Sequence, residues 1–443
     1  MRAVIEAAPD RTRARRASRA DLVVLGVEVV LFGAAVLVGL VLNRRGVGLH
    51  ADAAPLFATW QPHVGWGTPA AVLVAAAVIG WGVPWARTAR WGPLLVAAWL
   101  TAVSWTLALS MVDGWSAGLA ERLTPQAEYL TEVPGVTDIG ALLAGFSDRI
   151  LDFQPGSWST HTAGHPPGAL LIFVLLDRVG LGGGAAAGLV CVLVGATVAV
   201  SVALTLRALG APDAARAVVP FLVLVPGAVW VGASADGIFA AVVAAGVALL
   251  VARGPALATL GGLLLGGALY LSYGFVLVGP LALAAIALRP ARRGAALLAA
   301  LAGVIAVVAA FTLAGFAWWE GYDRVVDRYY QGWAAERPYA YWVWANLAAL
   351  LVSAGPAVGP ALRRALSPVR RAPHVVLPVA AAVAVVFADL SGMSKAEVER
   401  IWLPFAVWLL AATALLPPHS RRWWLAAQAL TALAVNHLLW TVS

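Results

Sequence analysis

The chain has 443 residues, 61% of them hydrophobic and 12% charged, against roughly a quarter charged in soluble domains, which excludes an ordinary soluble protein. Its net charge of +8 does not call for nucleic acid, because most arginines stand in short segments between apolar runs, where they set membrane topology. The lone cysteine, Cys191, excludes disulfides and thiolate metal clusters.

Apolar runs of about 17–25 residues, each able to cross a hydrocarbon core, recur along the chain, so it reads as an all-α polytopic membrane protein. Residues 1–21 form a basic tail expected in the cytoplasm. The apolar run after the tail is long enough to span, so no cleaved signal peptide is expected. Spans are expected near 22–42, 69–86 and 93–112. Arg44 and Arg45 oppose the positive-inside pattern, but the basic cluster before the first span outweighs them. The loop 113–165 then lies outside.

Segment 166–181 (PPGALLIFVLLDRVGL) is apolar but short and opens on two prolines. As a span it would put Arg207, Arg216, Arg253, Arg289, Arg292, Arg293, Arg363, Arg364, Arg370 and Arg371 outside. As an interfacial helix at the outer face it leaves them all in the cytoplasm, and the charge rule favours this placement. Further spans are expected at 185–206, 217–233, 236–252, 257–271, 275–288, 295–316, 341–360, 375–391, 401–417 and 423–441, for a total of about thirteen.

Charge that the spans avoid collects in the outside segments. Asp138 opens the helix-like stretch DIGALLAGFSDRIL, where a carboxylate can cap the first turn. Asp148, Arg149 and Asp152 have the spacing of an exposed amphipathic face. His161 and His165 are four apart, yet Gly164 and Pro166 argue against a regular helix there, and no third ligand stands at a recognised metal spacing. No cofactor is expected; the residues neither demand nor forbid a divalent metal. Asp236 sits where one expected span ends and the next begins, a position that marks a functional group or a helix cap. Glu28 lies inside the first span. The loop 318–342 mixes charges with aromatic rings, which suits sugar binding and an interfacial helix equally. In SGMSKAEVERIWLPF (391–405), Lys395, the sole lysine, stands with Glu397, Glu399 and Arg400 just before a span. Two cations there suit a phosphate or snorkelling at the membrane boundary.

Taken in order, these stretches resemble the GT-C superfamily of membrane glycosyltransferases, of the protein-O-mannosyltransferase and aminoarabinose-transferase type. Asp138 and His165-Pro166-Pro167 match that family's acidic residue and its Lys/His-Pro-Pro-Leu motif some thirty residues later, with Gly168 in place of the Leu. Asp236-Gly237 matches the acid that opens a later span, and Arg400-Ile401-Trp402-Leu403-Pro404 matches the late Arg-Tyr-Leu-Leu-Pro element. A mid-chain Leu-Thr-Lys-Gly-Pro element appears as Leu271-Ser272-Tyr273-Gly274-Phe275, without its cation. The resemblance covers about residues 93–420. It implies two additional N-terminal spans (22–92) and a GT-C-like core (93–443) with a catalytic loop at 113–184.

The activity it implies is transfer of a sugar from a polyprenyl-phosphate donor to a cell-wall glycan, glycolipid or protein outside a bacterial inner membrane. Asp138 is then expected as base and Asp236 as a second acid. Arg400, Lys395, His165, His161 and Tyr273 are expected to bind substrate. A transporter, a flippase and a non-catalytic lipid-carrier binding protein are the competing classes. Transporters of this kind carry internal repeats and midplane sites, and no repeat is visible here.

Overall fold

The computed structural model describes residues 11–232, 234–366 and 371–441, with side chains from residue 19 onward. The first ten residues of the basic tail, and Arg370 among the arginines used for topology, lie outside the described residues. Among the described residues the chain is helical apart from one antiparallel pair, in which Ala58–Trp60 meets Leu439–Thr441 with Thr59 opposite Trp440.

Six helices are long and apolar enough to cross a membrane: Arg19–Arg44, Gly67–Thr88, Trp91–Ser110, Gly184–Ala208, Arg293–Leu313 and Pro373–Leu390. A seventh is added if Tyr339–Ala354 and Val358–Ala365, which meet at 103°, form one broken span. By helix length and hydropathy the chain is a multi-pass membrane protein. The expected count of about thirteen is therefore corrected to six or seven.

The reason is that apolar composition does not set helix length. Asp236–Val251 and Pro255–Leu269 have 16 and 15 residues, or about 22–24 Å at 1.5 Å per residue, short of a hydrocarbon core of about 30 Å. The expected span 217–233 stops at Val223, before Pro226 and Gly227, and resumes only as Ala228–Val231. The expected span 401–417 divides into Val398–Ile401, Leu403–Leu409 and the 3-10 turn Leu410–Leu415. Segment 166–181 yields one helix, Pro167–Arg178, of 12 residues, about 18 Å long.

The core forms around Asp236–Val251, which is buried along most of its length. It packs against Gly184–Gly195, Thr197–Ala208, Pro255–Leu269 and Leu403–Leu409. Small residues permit such close packing. A Cβ on Gly262 would lie 2.0 Å from the Ala300 carbonyl, so Pro255–Leu269 and Arg293–Leu313 touch backbone to backbone.

The first helix docks across the bent pair. Buried Asp21 receives Arg363 at 2.7 Å and Arg364 at 2.6 Å, and the Tyr341 hydroxyl donates to the Ala35 carbonyl at 2.9 Å. Glu28, 8% exposed, lays its carboxylate against Gly359 in the first turn of Val358–Ala365. Neither carboxyl oxygen has a hydrogen-bond partner among the described residues, so the positive dipole end of that turn is what favours an acid there.

A Cβ at Gly359 would lie 1.8 Å from Glu28 Oε1. Gly359→Val is expected to expel the carboxylate and lower stability by about 2 kcal/mol or more. Glu28→Gln, which fits the same space, should cost less. Thermal unfolding of the purified protein in detergent checks the order; equal losses would remove the close contact as the cause.

Candidate functional site

Polar segments between the apolar helices converge on one buried ionic cluster. Residues 111–166 fold into short turns whose backbone bonds staple distant parts together. Glu128 precedes the 3-10 turn Tyr129–Thr131. The Thr131 and Ser159 hydroxyls both donate to its carbonyl, at 2.8 and 3.3 Å, and the His161 amide donates to the Ala127 carbonyl at 2.9 Å. The turn bearing Glu128 is thereby fixed against the helix Thr160–Gly164, which carries His161. That helix ends at His165 because a residue before proline is driven to extended backbone; its φ and ψ are −127° and 154°.

On the opposite side, Ala396 and Glu397 have φ of 72° and 64°. Two consecutive side-chain-bearing residues in the left-handed region cost about 1–3 kcal/mol each and persist only where the surroundings enforce them. Here Tyr329 Oη accepts the Lys395 amide at 2.9 Å, Asn346 Oδ1 accepts the Ala396 amide at 3.4 Å, and Arg337 Nη1 donates to the Lys395 carbonyl at 2.7 Å. The contorted turn aims Glu397 and Arg400 at the cluster.

Arg400, 6% exposed, is the hub. Its Nη1 donates to Asp236 Oδ2 at 3.1 Å, and its Nη2 donates to Glu397 Oε2 at 2.6 Å and to His161 Nε2 at 3.2 Å. His161 Nδ1 lies 2.7 Å from Glu128 Oε1. Glu397 also meets Arg337 at 3.3 Å. Burial opposes charge on Arg400, but Glu397, Asp236 and Glu128 outweigh it and hold the guanidinium above its ordinary value. Burial likewise pushes Glu397 up, but Arg400 and Arg337 prevail and its carboxyl ends below the usual range.

His165 Nδ1 lies 2.8 Å from the His161 carbonyl and 2.9 Å from the Tyr129 hydroxyl. A carbonyl only accepts, so Nδ1 carries the proton and Nε2 keeps its lone pair. Burial pushes His165 down to about 4, against the pull of Asp236. At neutral pH it therefore offers an acceptor nitrogen rather than positive charge.

Of the residues expected from sequence, Asp236, Arg400, His161 and His165 come together. The others do not join them. Lys395 is buried, with Nζ donating to the Ala334 carbonyl at 2.5 Å and lying 5.4 and 5.8 Å from the rings of Tyr330 and Tyr329. Tyr273 is buried beside Trp318 and Tyr322, and its hydroxyl has no hydrogen-bond partner among the described residues. Asp138 accepts the Ala141 amide at 2.8 Å as the cap of Ile139–Gly145. It borders a separate cavity with Arg149 and Trp158. Among the described residues, no three His, Cys, Asp or Glu side chains are placed to hold a metal ion.

Two members of the cluster, Glu128 and Tyr129, are not singled out by sequence. The available signal is an acid in PQAEYLTEV, within the loop that precedes the paired histidines. Glu399 faces away from Arg400's partners: its Oε1 accepts the Phe57 amide at 2.7 Å, and its buried Oε2 has no partner among the described residues. Arg337 bonds the carbonyls of Leu49 and His50 at 3.2 and 3.3 Å. The N-terminal loop is thus tied directly to the turn that presents Arg400.

Burial pushes Glu399 up to about 7. Its folded value lies above the unfolded value of about 4.3, so the folded protein holds an extra proton between the two. That stabilisation is complete below about pH 4.3 and is lost as pH rises through about 7. The difference in Tm between the native protein and Glu399→Gln should therefore move against the native protein between about pH 5 and 8. Scanning fluorimetry across that range is the check, and a pH-independent difference would reject the raised value.

Compared with family models, curated proteins and solved structures, the chain matches none of them.

Proposed function

We propose that this protein transfers a sugar from a polyprenyl-phosphate donor to an acceptor hydroxyl outside a bacterial inner membrane, in the manner of GT-C glycosyltransferases. The observation that carries the reading is the buried Glu128–His161–Arg400–Asp236 network. Of the stretches that underlie the family resemblance, 165–167, 236–237 and 400–404 lie far apart in sequence, and His165, Asp236 and Arg400 all stand at or beside this one cluster.

The chemistry needs a proton acceptor near the anomeric carbon and positive charge near the departing phosphate. Arg400 supplies the charge, and its planar fork suits phosphate oxygens. Asp236 orients it and stands where it can hold sugar or acceptor hydroxyls. His165 adds a neutral acceptor. The basic tail on the cytoplasmic side and the cluster on the outer face follow from the arginine distribution. The acceptor is a cell-wall glycan, a glycolipid or a protein, and the partners are the lipid donor and the bilayer.

A second reading, a non-catalytic lipid-carrier binding protein or flippase, gains from one observation: Asp138, the acid expected as base, caps a helix apart from Arg400. Membranes with and without the protein, supplied with a panel of radiolabelled polyprenyl-phosphate sugars, separate the two. Label should pass from one donor into larger products. Asp236→Asn, which loosens the hold on Arg400, should reduce that transfer by about 100-fold, while Asp138→Asn, which still caps the helix, should leave it within about threefold. Donor binding without transfer from any sugar would favour the carrier-binding reading.

A further inference from the structure

The positions of four side chains fix where one proton sits. A guanidinium only donates, and Arg400 Nη2 lies 3.2 Å from His161 Nε2, so Nε2 carries the lone pair. The ring proton is then on Nδ1, and Glu128 Oε1 lies 2.7 Å from that nitrogen as a charge partner without making a hydrogen bond; Glu128 is 2% exposed. A buried carboxylate behind an imidazole stabilises the imidazolium that forms when the far, forward nitrogen takes up a proton. Here the forward nitrogen is occupied by Arg400.

The occupying group is itself incomplete. Arg400 Nε is buried and has no hydrogen-bond partner among the described residues, which costs stability. A phosphate bound across Nε and Nη2 in bidentate fashion would satisfy Nε and draw Nη2 off His161. One ligand thereby fills the empty donor and releases the imidazole.

We propose that His161, backed by the charge of Glu128, is the proton acceptor of this site, and that Arg400 blocks it until a phosphate-bearing ligand takes the guanidinium. The inference rests on the glycosyl-transfer reading. In that reaction the acceptor oxygen bonds to the anomeric carbon. The bond from that carbon to the phosphate oxygen breaks, and its electron pair leaves with the lipid phosphate. The hydroxyl proton passes to His161 Nε2, giving an imidazolium between Glu128 and the phosphate. Without donor, Nε2 is unavailable and no hydroxyl is activated. The groups facing His161 are Glu128 behind it, Arg400 in front, and Glu397 across the guanidinium. His165 is joined through the His161 carbonyl, and the Tyr129 ring lies 6.1 Å away.

The test uses the full chain in nanodiscs with ¹⁵N-labelled histidine, His161→Gln serving to assign the signal. Undecaprenyl phosphate and inorganic phosphate are titrated separately, with tryptophan fluorescence as an independent measure of binding. The unliganded His161 should show the Nδ1–H tautomer. Bound phosphate should raise its midpoint by about one pH unit or more, tenfold in proton affinity. Glu128→Gln should bind the ligand without that rise, which a merely structural Glu128 would not predict. A response to both ligands assigns the effect to the phosphate, and a response to the lipid alone adds the chain to what is recognised; either supports the proposal. An unchanged His161 at saturating ligand, or no binding of either ligand, overturns it. The readout needs no turnover. Absent transfer with a responsive His161 counts against the transfer reading alone. Transfer that survives in His161→Gln within about threefold counts against His161 alone, since loss of a proton acceptor costs about 100-fold or more.

Discussion

One guanidinium organises the polar cluster of this molecule. Arg400 holds Asp236 at the head of the central helix, Glu397 on a strained turn, and His161 on the short helix Thr160–Gly164. A buried ion is tolerable only when its partners satisfy it, and each of these partners is itself buried or fixed by a backbone bond. The dependence runs both ways. The carboxylates keep Arg400 charged against burial, and Arg400 keeps the carboxylates from being unpaired charges in an apolar interior. Removing the hub would leave several isolated charges rather than one lost contact.

The same network explains why the turn at 396–397 can exist. Left-handed backbone at Ala396 and Glu397 is unfavourable by itself. It is held by bonds from Tyr329, Asn346 and Arg337, three residues on separate elements. Arg337 in turn reaches the carbonyls of Leu49 and His50, and Phe57 binds Glu399. The N-terminal loop therefore forms part of the scaffold of the site.

How much of this was legible in the sequence follows from which signals are local. Membrane character, helical class and the long spans come from composition and run length, and they hold. The number of spans does not, because proline, glycine and interior polar groups cut several apolar runs into helices too short to cross. Asp236, His161, His165 and Arg400 stand out as charged or polar residues in apolar surroundings. Glu128 gives no such contrast, since it lies among other acids in a polar loop, and only the fold shows that it alone is sealed behind His161. Asp138 has the stronger local signal, and the structure shows it capping Ile139–Gly145. The burial of Lys395 against Tyr329, Tyr330 and Ala334 depends on a helix some sixty residues away and leaves no trace near Lys395 itself.

The chain order of the cluster bears on how such a protein is made. Synthesis is vectorial, so Glu128, His161 and Asp236 enter the membrane environment long before Arg400 leaves the ribosome. Until then the Glu128 and Asp236 carboxylates lack the cation that makes burial tolerable, and an unpaired ion is too costly to seal away. The helices that carry them must stay apart enough to keep those groups hydrated, or keep them protonated, while more than 160 further residues are threaded between Asp236 and Arg400. Compaction around this cluster is thus expected late, once a single residue near the end of the chain arrives.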